Sequence, residues 1–427
     1  MPDLAQNEQL HGSFLIVPLK YDSDSLNRTY LEEIGTYRPI TTMDLNENIK
    51  KMLDKSNDAA VGLCFDISPY HILPFVSGAD DSHLPQTFLV SDDGNTYTFE
   101  LSSSYIYVFH TQVAFLCLSI SYEETEALKA VCNPGSAYNP ASFYWVDEEG
   151  QNHLFSIETW LDDFLAPLGL KRFFDGDSSY LLDSYAYIFT VVPNRFDTIE
   201  EMQKITFNLH KMMPIDSDIY DTSEDDIRYV YAVKHQAYNT YRWGCCVASQ
   251  TISYVFADEA MDFEAQREAQ ANDGLPVVIL SLYEKYTCLR FTELITAVKK
   301  KQIRNLKNMM LRFQAFGTVT PANLSRWHNV KQIYAHLLQV NDISSAIEDI
   351  SSKINILTEH QEEIERAKSE TVVNIITVFG LISIMASVLS IVQILSGGNI
   401  IIWISTILTA FMMVLVTFIA LWKRKKW

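Results

Sequence analysis

The chain has 427 residues, 48% of them hydrophobic and 20% charged, and a formal charge of −20. This length predicts two or three domains, and the composition excludes a disordered, collagen-like or disulfide-scaffold protein. So acidic a chain argues against a nucleic-acid-binding surface, and no direct DNA or RNA binding is expected.

Residues 1–275 alternate strand and helix signals. The runs 14–19, 61–67, 105–110, 113–119 and 185–192 are rich in Val, Ile, Phe and Tyr and read as strands. Asp92-Asp93-Gly94-Asn95 reads as a hairpin turn between 87–90 and 97–99. Helical periodicity falls at 44–53, 123–131, 157–168, 199–212 and 258–269. The alternation predicts an α+β domain with no internal repeat.

After Pro276 the pattern turns helical. A helix over 277–316 is expected to end at Gly317, and Thr320-Pro321 supplies an N-cap and a first-turn proline for the next. With no Pro or Gly before Gly380, one helix is expected over 321–395, or 75 residues. Val340, Ile343, Ile347, Ile350, Ile354, Leu357, Gln361 and Ile364 follow coiled-coil spacing, predicting a stalk seam facing partner helices.

Residues 371–422 hold no ionisable side chain, so the body before them carries −24 and Lys423, Arg424, Lys425 and Lys426 carry +4. Two apolar runs, 372–395 and 400–422, each exceed the roughly 20 residues that cross a bilayer. Arg366 and Lys368 before the first and the basic tail after the second place both termini in the cytoplasm, since Lys and Arg flank spans on that side. No cleaved signal is expected from the first residues. The six cysteines lack metal or redox spacing and read as buried free thiols in a reducing compartment. The expected organisation is a cytosolic α+β sensor domain (1–275), a helical hairpin and stalk (276–370), and two spans with a basic tail (371–427).

A long cytosolic helix entering the first of two C-terminal spans, a minimal loop and a basic ending resemble the CorA-like family of divalent cation channels. The likeness lies in the architecture of residues 277–427. Where that family carries Gly-Met-Asn, this chain reads Gly397-Gly398-Asn399, with no acidic external loop after it. The resemblance implies a homopentamer in an inner or plasma membrane, contacting lipid and conducting ions, with magnesium or another divalent cation as permeant or regulator. CorA-like proteins that depart from Gly-Met-Asn also accompany type III CRISPR defence. That raises the alternative of an antiviral membrane effector opened by a nucleotide messenger. A membrane-anchored enzyme or a scaffold is the reading from another class.

Within the first run, Asn374, Thr377, Gly380, Ser383, Ser387, Ser390 and Gln393 are the candidate pore-lining residues, and Gly397, Gly398 and Asn399 the candidate filter loop. Rings of hydroxyl and amide oxygens replace part of an ion's hydration shell; small residues also let membrane helices pack closely. At 100° per residue, Gly380, Ser383, Ser387 and Ser390 share an arc of roughly 80°. Glu348, Asp349, Glu359, Glu362, Glu363, Glu365 and Glu370 on the stalk read as a solvated coiled-coil face, the alternative being that they concentrate cations near the cytosolic entrance. Tyr238, Tyr241, Arg242 and Trp243 form the candidate ligand-binding cluster, since rings stack on a base and a guanidinium pairs with phosphate. The acidic run 216–226 lacks the Gly and Glu of a calcium loop. With no hydrolase, P-loop or dinucleotide motif, no enzymatic activity is expected.

Overall fold

The computed structural model describes residues 10–72, 87–92, 94–132, 141–146, 150–174, 184–218, 227–232, 239–257, 262–297, 302–395, 400–401, 404–412 and 415. The chain forms two compact units, Met1–Val298 with Asn308–Ser351, and Lys299–Lys307 with Ser352–Trp427.

The first unit is α+β, built on a mixed sheet of thirteen strands among the described residues. They are β1 (His11–Lys20), β2 (Gly35–Tyr37), β3 (Gly62–Ile67), β4 (Thr87–Asp92), β5 (Asn95–Phe109), β6 (Val113–Tyr122), β7 (Ser142–Val146), β8 (Asn152–Phe155), β9 (Lys171–Arg172), β10 (Tyr185–Val192), β11 (Arg228–Tyr231), β12 (Trp243–Val247) and β13 (Thr251–Ala257). Their order is β11-β12-β13-β10-β1-β6-β5-β4-β7-β8, with β3 also pairing β5, β2 pairing β3, and β9 pairing β1. Every pairing is antiparallel except β10 with β13, which starts in register at Ala186 and Thr251. The strand expectations are met: 185–192 coincides with β10, and 87–90 and 97–99 fall in the hairpin of β4 and β5.

The helices are α1 (Arg28–Ile34), α2 (Glu47–Lys50), α3 (Pro69–Ile72), α4 (Thr125–Cys132), α5 (Ile157–Leu165), α6 (Ile199–His210), α7 (Phe263–Ala269), α8 (Leu275–Ala297), α9 (Ile303–Arg312), α10 (Pro321–Leu324), α11 (His328–Val340) and α12 (Ile343–Leu395). Several begin where the side chain of the capping residue satisfies a free backbone N–H: Ser156 for α5, Thr198 for α6 and Asp262 for α7.

All ten residues of β6 and all seven of β13 are buried, as strands covered on both faces require. On one face Leu15, Val17 and Leu19 join Leu116, Leu118 and Ile120 and the apolar residues of α4 and α5 in the main core. On the other, Phe109 stacks on Tyr283 at 4.1 Å and Phe115 meets Tyr286 edge-on at 5.7 Å, fixing α8 against the sheet. Nine consecutive residues at the start of α8, Leu275 to Tyr283, are buried, so α8 is a core helix rather than an amphipathic one.

Three helical expectations are corrected. The pattern over 44–53 yields only α2 and a 3-10 turn, Lys51–Leu53; the Thr42 hydroxyl holds the Asp44 amide at 3.0 Å outside the helix. The expected 277–316 helix is described as α8, α9 and a π-helical turn, Phe313–Gly317, with 298–301 outside the described residues. The 75-residue helix is broken twice. Ser325 leaves helical geometry and its hydroxyl accepts from the Trp327 amide at 3.0 Å. Asn341 bonds back to the Leu337 carbonyl at 2.9 Å, and Asp342 adopts φ +48, ending α11. Asn and Asp are the non-glycine residues that best tolerate that conformation. From Ile343 to Leu395 the helix is unbroken.

Candidate functional site: the apolar half of α12

The expected seam does not wait for a partner along its whole length. Ile343 and Ile350 are 1% and 2% exposed, and Ile354 is 2% exposed, within a single chain. Ile347, Leu357, Gln361 and Ile364 are half-buried. The seven stalk carboxylates are all exposed, and Glu362 has cationic neighbours in Arg366 at 3.8 Å and Lys307 at 3.9 Å.

Beyond Glu370 the surface changes character. One helix among the described residues is long and apolar enough to cross a membrane, within Ile343–Val392, and none of its most apolar window is buried by the chain. Phe379 is 67% exposed and Ile394 80% exposed. A contiguous apolar surface of this kind needs lipid or protein against it rather than water. Of the second run, residues 400–401, 404–412 and 415 are described, all helical. The remainder, with Lys423, Arg424, Lys425 and Lys426, lies outside the described residues.

Three hydroxyls of the candidate pore set are satisfied locally. Thr377 donates to the Val373 carbonyl at 2.8 Å, Ser387 to Ser383 at 3.0 Å and Ser390 to Ala386 at 2.9 Å. Each keeps lone pairs for another donor or a cation while owing no unsatisfied O–H to a bilayer.

The two sides of α12 differ. Asn374, Val378, Met385, Leu389 and Val392 are half-buried, whereas Thr377, Gly380, Ser383, Ser387 and Ser390 are exposed. At about 100° per residue the half-buried positions span roughly 60°, and Gly380, Ser383, Ser387 and Ser390 span roughly 80° centred on the opposite side. A Cβ added at Gly380 would meet nothing within 4 Å. The small-residue face is therefore free, together with the exposed apolar positions around it, Ile376 and Ile394 lying in the same arc. Asn374 lies with the half-buried positions, and Thr377 lies between the two sides. The described members of the candidate pore set thus do not share one face. The Gln393 side chain and Gly397, Gly398 and Asn399 lie outside the described residues.

The aromatic cluster is dispersed. Tyr241 is buried in the main core with its ring edge-on to Tyr231 at 5.8 Å. Arg242 is exposed, and Trp243 lines a cavity of about 170 Å³ with Asp44, Asp273 and Gln270. Burial, with Asp273 nearby, raises the Asp44 carboxyl above its usual range. A cavity so lined suits a hydrogen-bond donor or cation better than a phosphate. Tyr238 lies outside the described residues. In the acidic run, Asp218 pairs with Lys204 at 3.1 Å and 219–226 lie outside.

The described cysteines are free; all but half-buried Cys132 are fully buried. Burial pushes the thiols of Cys64, Cys132 and Cys288 up to about 12, far from a reactive range. Among the described residues no group of three or more His, Cys, Asp or Glu is placed to hold a metal ion.

Sequence reading did not single out Lys129, Lys211 and Lys285, which converge on a different cavity. The available signal was Lys285 itself, a charge in the middle of the apolar run of α8.

The fold and this helix define an α+β protein with a helix suited to a membrane. No family model matches the chain, and no curated protein matches it.

Proposed function

We propose that the chain is the subunit of a homo-oligomeric membrane channel, cation-conducting and CorA-like in plan, whose α+β domain responds to a ligand. The observation that carries the reading is the exposed Gly380, Ser383, Ser387 and Ser390 face of α12, opposite its half-buried side. In an oligomer that face turns inward and lines the path with hydroxyl oxygens. The exposed apolar residues outside that arc then meet lipid, while Ile376 and Ile394 share the arc with the hydroxyls. Cation preference follows from the field of an acidic chain, −20 per copy, and from the exposed carboxylates of α12 before the apolar segment. With no carboxylate between 371 and 395, selectivity among cations is modest. The pentamer and two spans with cytoplasmic termini are part of this proposal and come from the resemblance.

The test is ion flux. Purified full chain in liposomes is assayed with potassium- and magnesium-sensitive dyes, with and without nucleotides and divalent cations. Flux above that of empty liposomes supports the reading, and an oligomer that passes no ion under any of these conditions sinks it.

A further inference from the structure

A second cavity, of about 590 Å³, opens where β10 and β13 begin, between the ends of α4 and α6 and the flank of α8. Its volume falls within the roughly 300–1,000 Å³ of small-molecule sites. Its lining includes Lys129, Lys211, Lys285 and His210, and among the described residues it includes no carboxylate. In a chain with 53 acidic and 33 basic residues, that local excess of cations is the opposite of the surface average. By contrast, the cavity of about 400 Å³ near α1 mixes Arg28, Lys55 and Arg312 with Glu32 and Asp58, and Lys55 is engaged by Glu32 at 2.7 Å.

We propose that the larger cavity binds a phosphate-bearing ligand of up to nucleotide size, with Lys129, Lys211 and Lys285 pairing the anion and the Phe174 and Tyr286 rings walling its apolar part.

The bland alternative is that lysines at helix C-termini offset the helix dipole, as Lys129 and Lys211 are placed to do. Lys285 has no such task. It lies in the middle of α8, its ammonium donates to the Ser249 carbonyl at 3.2 Å, and it sits 5.7 Å from the centre of the Tyr286 ring. Neither partner carries charge. Burial accordingly lowers its pKa, and an anion in the cavity restores the ammonium's compensation. Phe174 and Leu289, at 43% and 37% exposure, leave apolar surface open on the same wall.

The site stands apart from the channel reading, because binding is measured without a membrane. Full-length protein in detergent is titrated calorimetrically with inorganic tripolyphosphate and with adenosine triphosphate. Both are expected to bind, and Lys285→Met and Lys211→Gln are each expected to weaken binding by at least about tenfold, or about 1.4 kcal/mol. Lys353→Gln, on exposed α12, leaves it unchanged. Melting curves without ligand confirm that each variant folds, and half-buried Lys211 carries the test if Lys285→Met does not. Absence of binding by either probe, or wild-type affinity in the folded lysine variants, overturns the proposal. Binding without ion flux would leave this site standing and remove the channel.

Discussion

Tyr334 donates its hydroxyl to the Glu284 carboxylate at 2.7 Å, and the Val319 amide donates to the same oxygen at 2.9 Å. The contact joins α8, α11 and the segment after the π-helical turn around one buried acid. Burial raises Glu284 from 4.5 to about 7, and the two donors offset only part of that effect. The folded chain holds this proton more tightly than the unfolded chain, so stability falls as pH rises from about 4.5 to about 7 and then levels. Glu284→Gln keeps an acceptor for both donors without the ionisation. Its melting temperature should exceed that of the wild type at pH 8, by on the order of 2–3 kcal/mol in stability, and the gap should close toward pH 5. Taking the difference also cancels His11, which burial lowers to about 4 and which contributes the opposite slope in both proteins. A gap that does not vary with pH would refute the assignment.

Arg290 ties α8 to the end of β1. Its guanidinium donates to the Tyr21 carbonyl, the Asp22 carboxylate and Gln112, each at 3.0 Å, and to Glu293 at 2.9 Å. Arg290→Met removes these bonds and leaves the Tyr21 carbonyl and Gln112 without their charged donor. The expected loss is about 2–3 kcal/mol, discounted because Asp22 is largely exposed. Urea unfolding measures it, and a loss within about 0.5 kcal/mol would show that the network contributes little.

Gly169 closes the 3-10 turn after α5 with φ +70, and a Cβ there would overlap the Ser25 carbonyl oxygen. The Ser25 hydroxyl also donates to the Gly169 carbonyl at 3.1 Å. Backbone meets backbone, so neither side yields by a rotamer change. Gly169→Ala should cost more than about 1 kcal/mol, combining left-handed strain with displacement of the Ser25 loop. A thermal melt equal to wild type would mean that the loop moves freely.

Ser387 tests the membrane face. Ser387→Leu should cut liposome flux by about tenfold or more while the oligomer persists in gel filtration, because the exposed small-residue face then carries a bulky apolar group. Unchanged flux would place Ser387 outside the conduction path.

Much of the first unit was legible residue by residue. Runs such as Tyr185–Val192 and the hairpin that pairs Asp92 with Asn95 carry their structure locally, through β-branched and aromatic residues and turn chemistry. The helix breaks were less so. Asn341-Asp342 was a readable stop signal, but the apolar spacing on either side suggested one register, and spacing does not report φ. The aromatic cluster failed for a related reason: adjacent residues of an extended chain point to opposite sides, so Tyr241 enters the core while Arg242 faces solvent.

By itself, the sequence determined the α+β character of the body and an uncharged apolar segment suited to a membrane, because periodicity and the transfer cost of charge are local properties. Only the tertiary structure decided which side of α12 is half-buried and which lysines share a cavity. Lys129, Lys211 and Lys285 are separated by 82 and 74 residues. They meet because the sheet order brings the ends of α4 and α6 beside α8, a consequence of long-range strand pairing that no local pattern encodes.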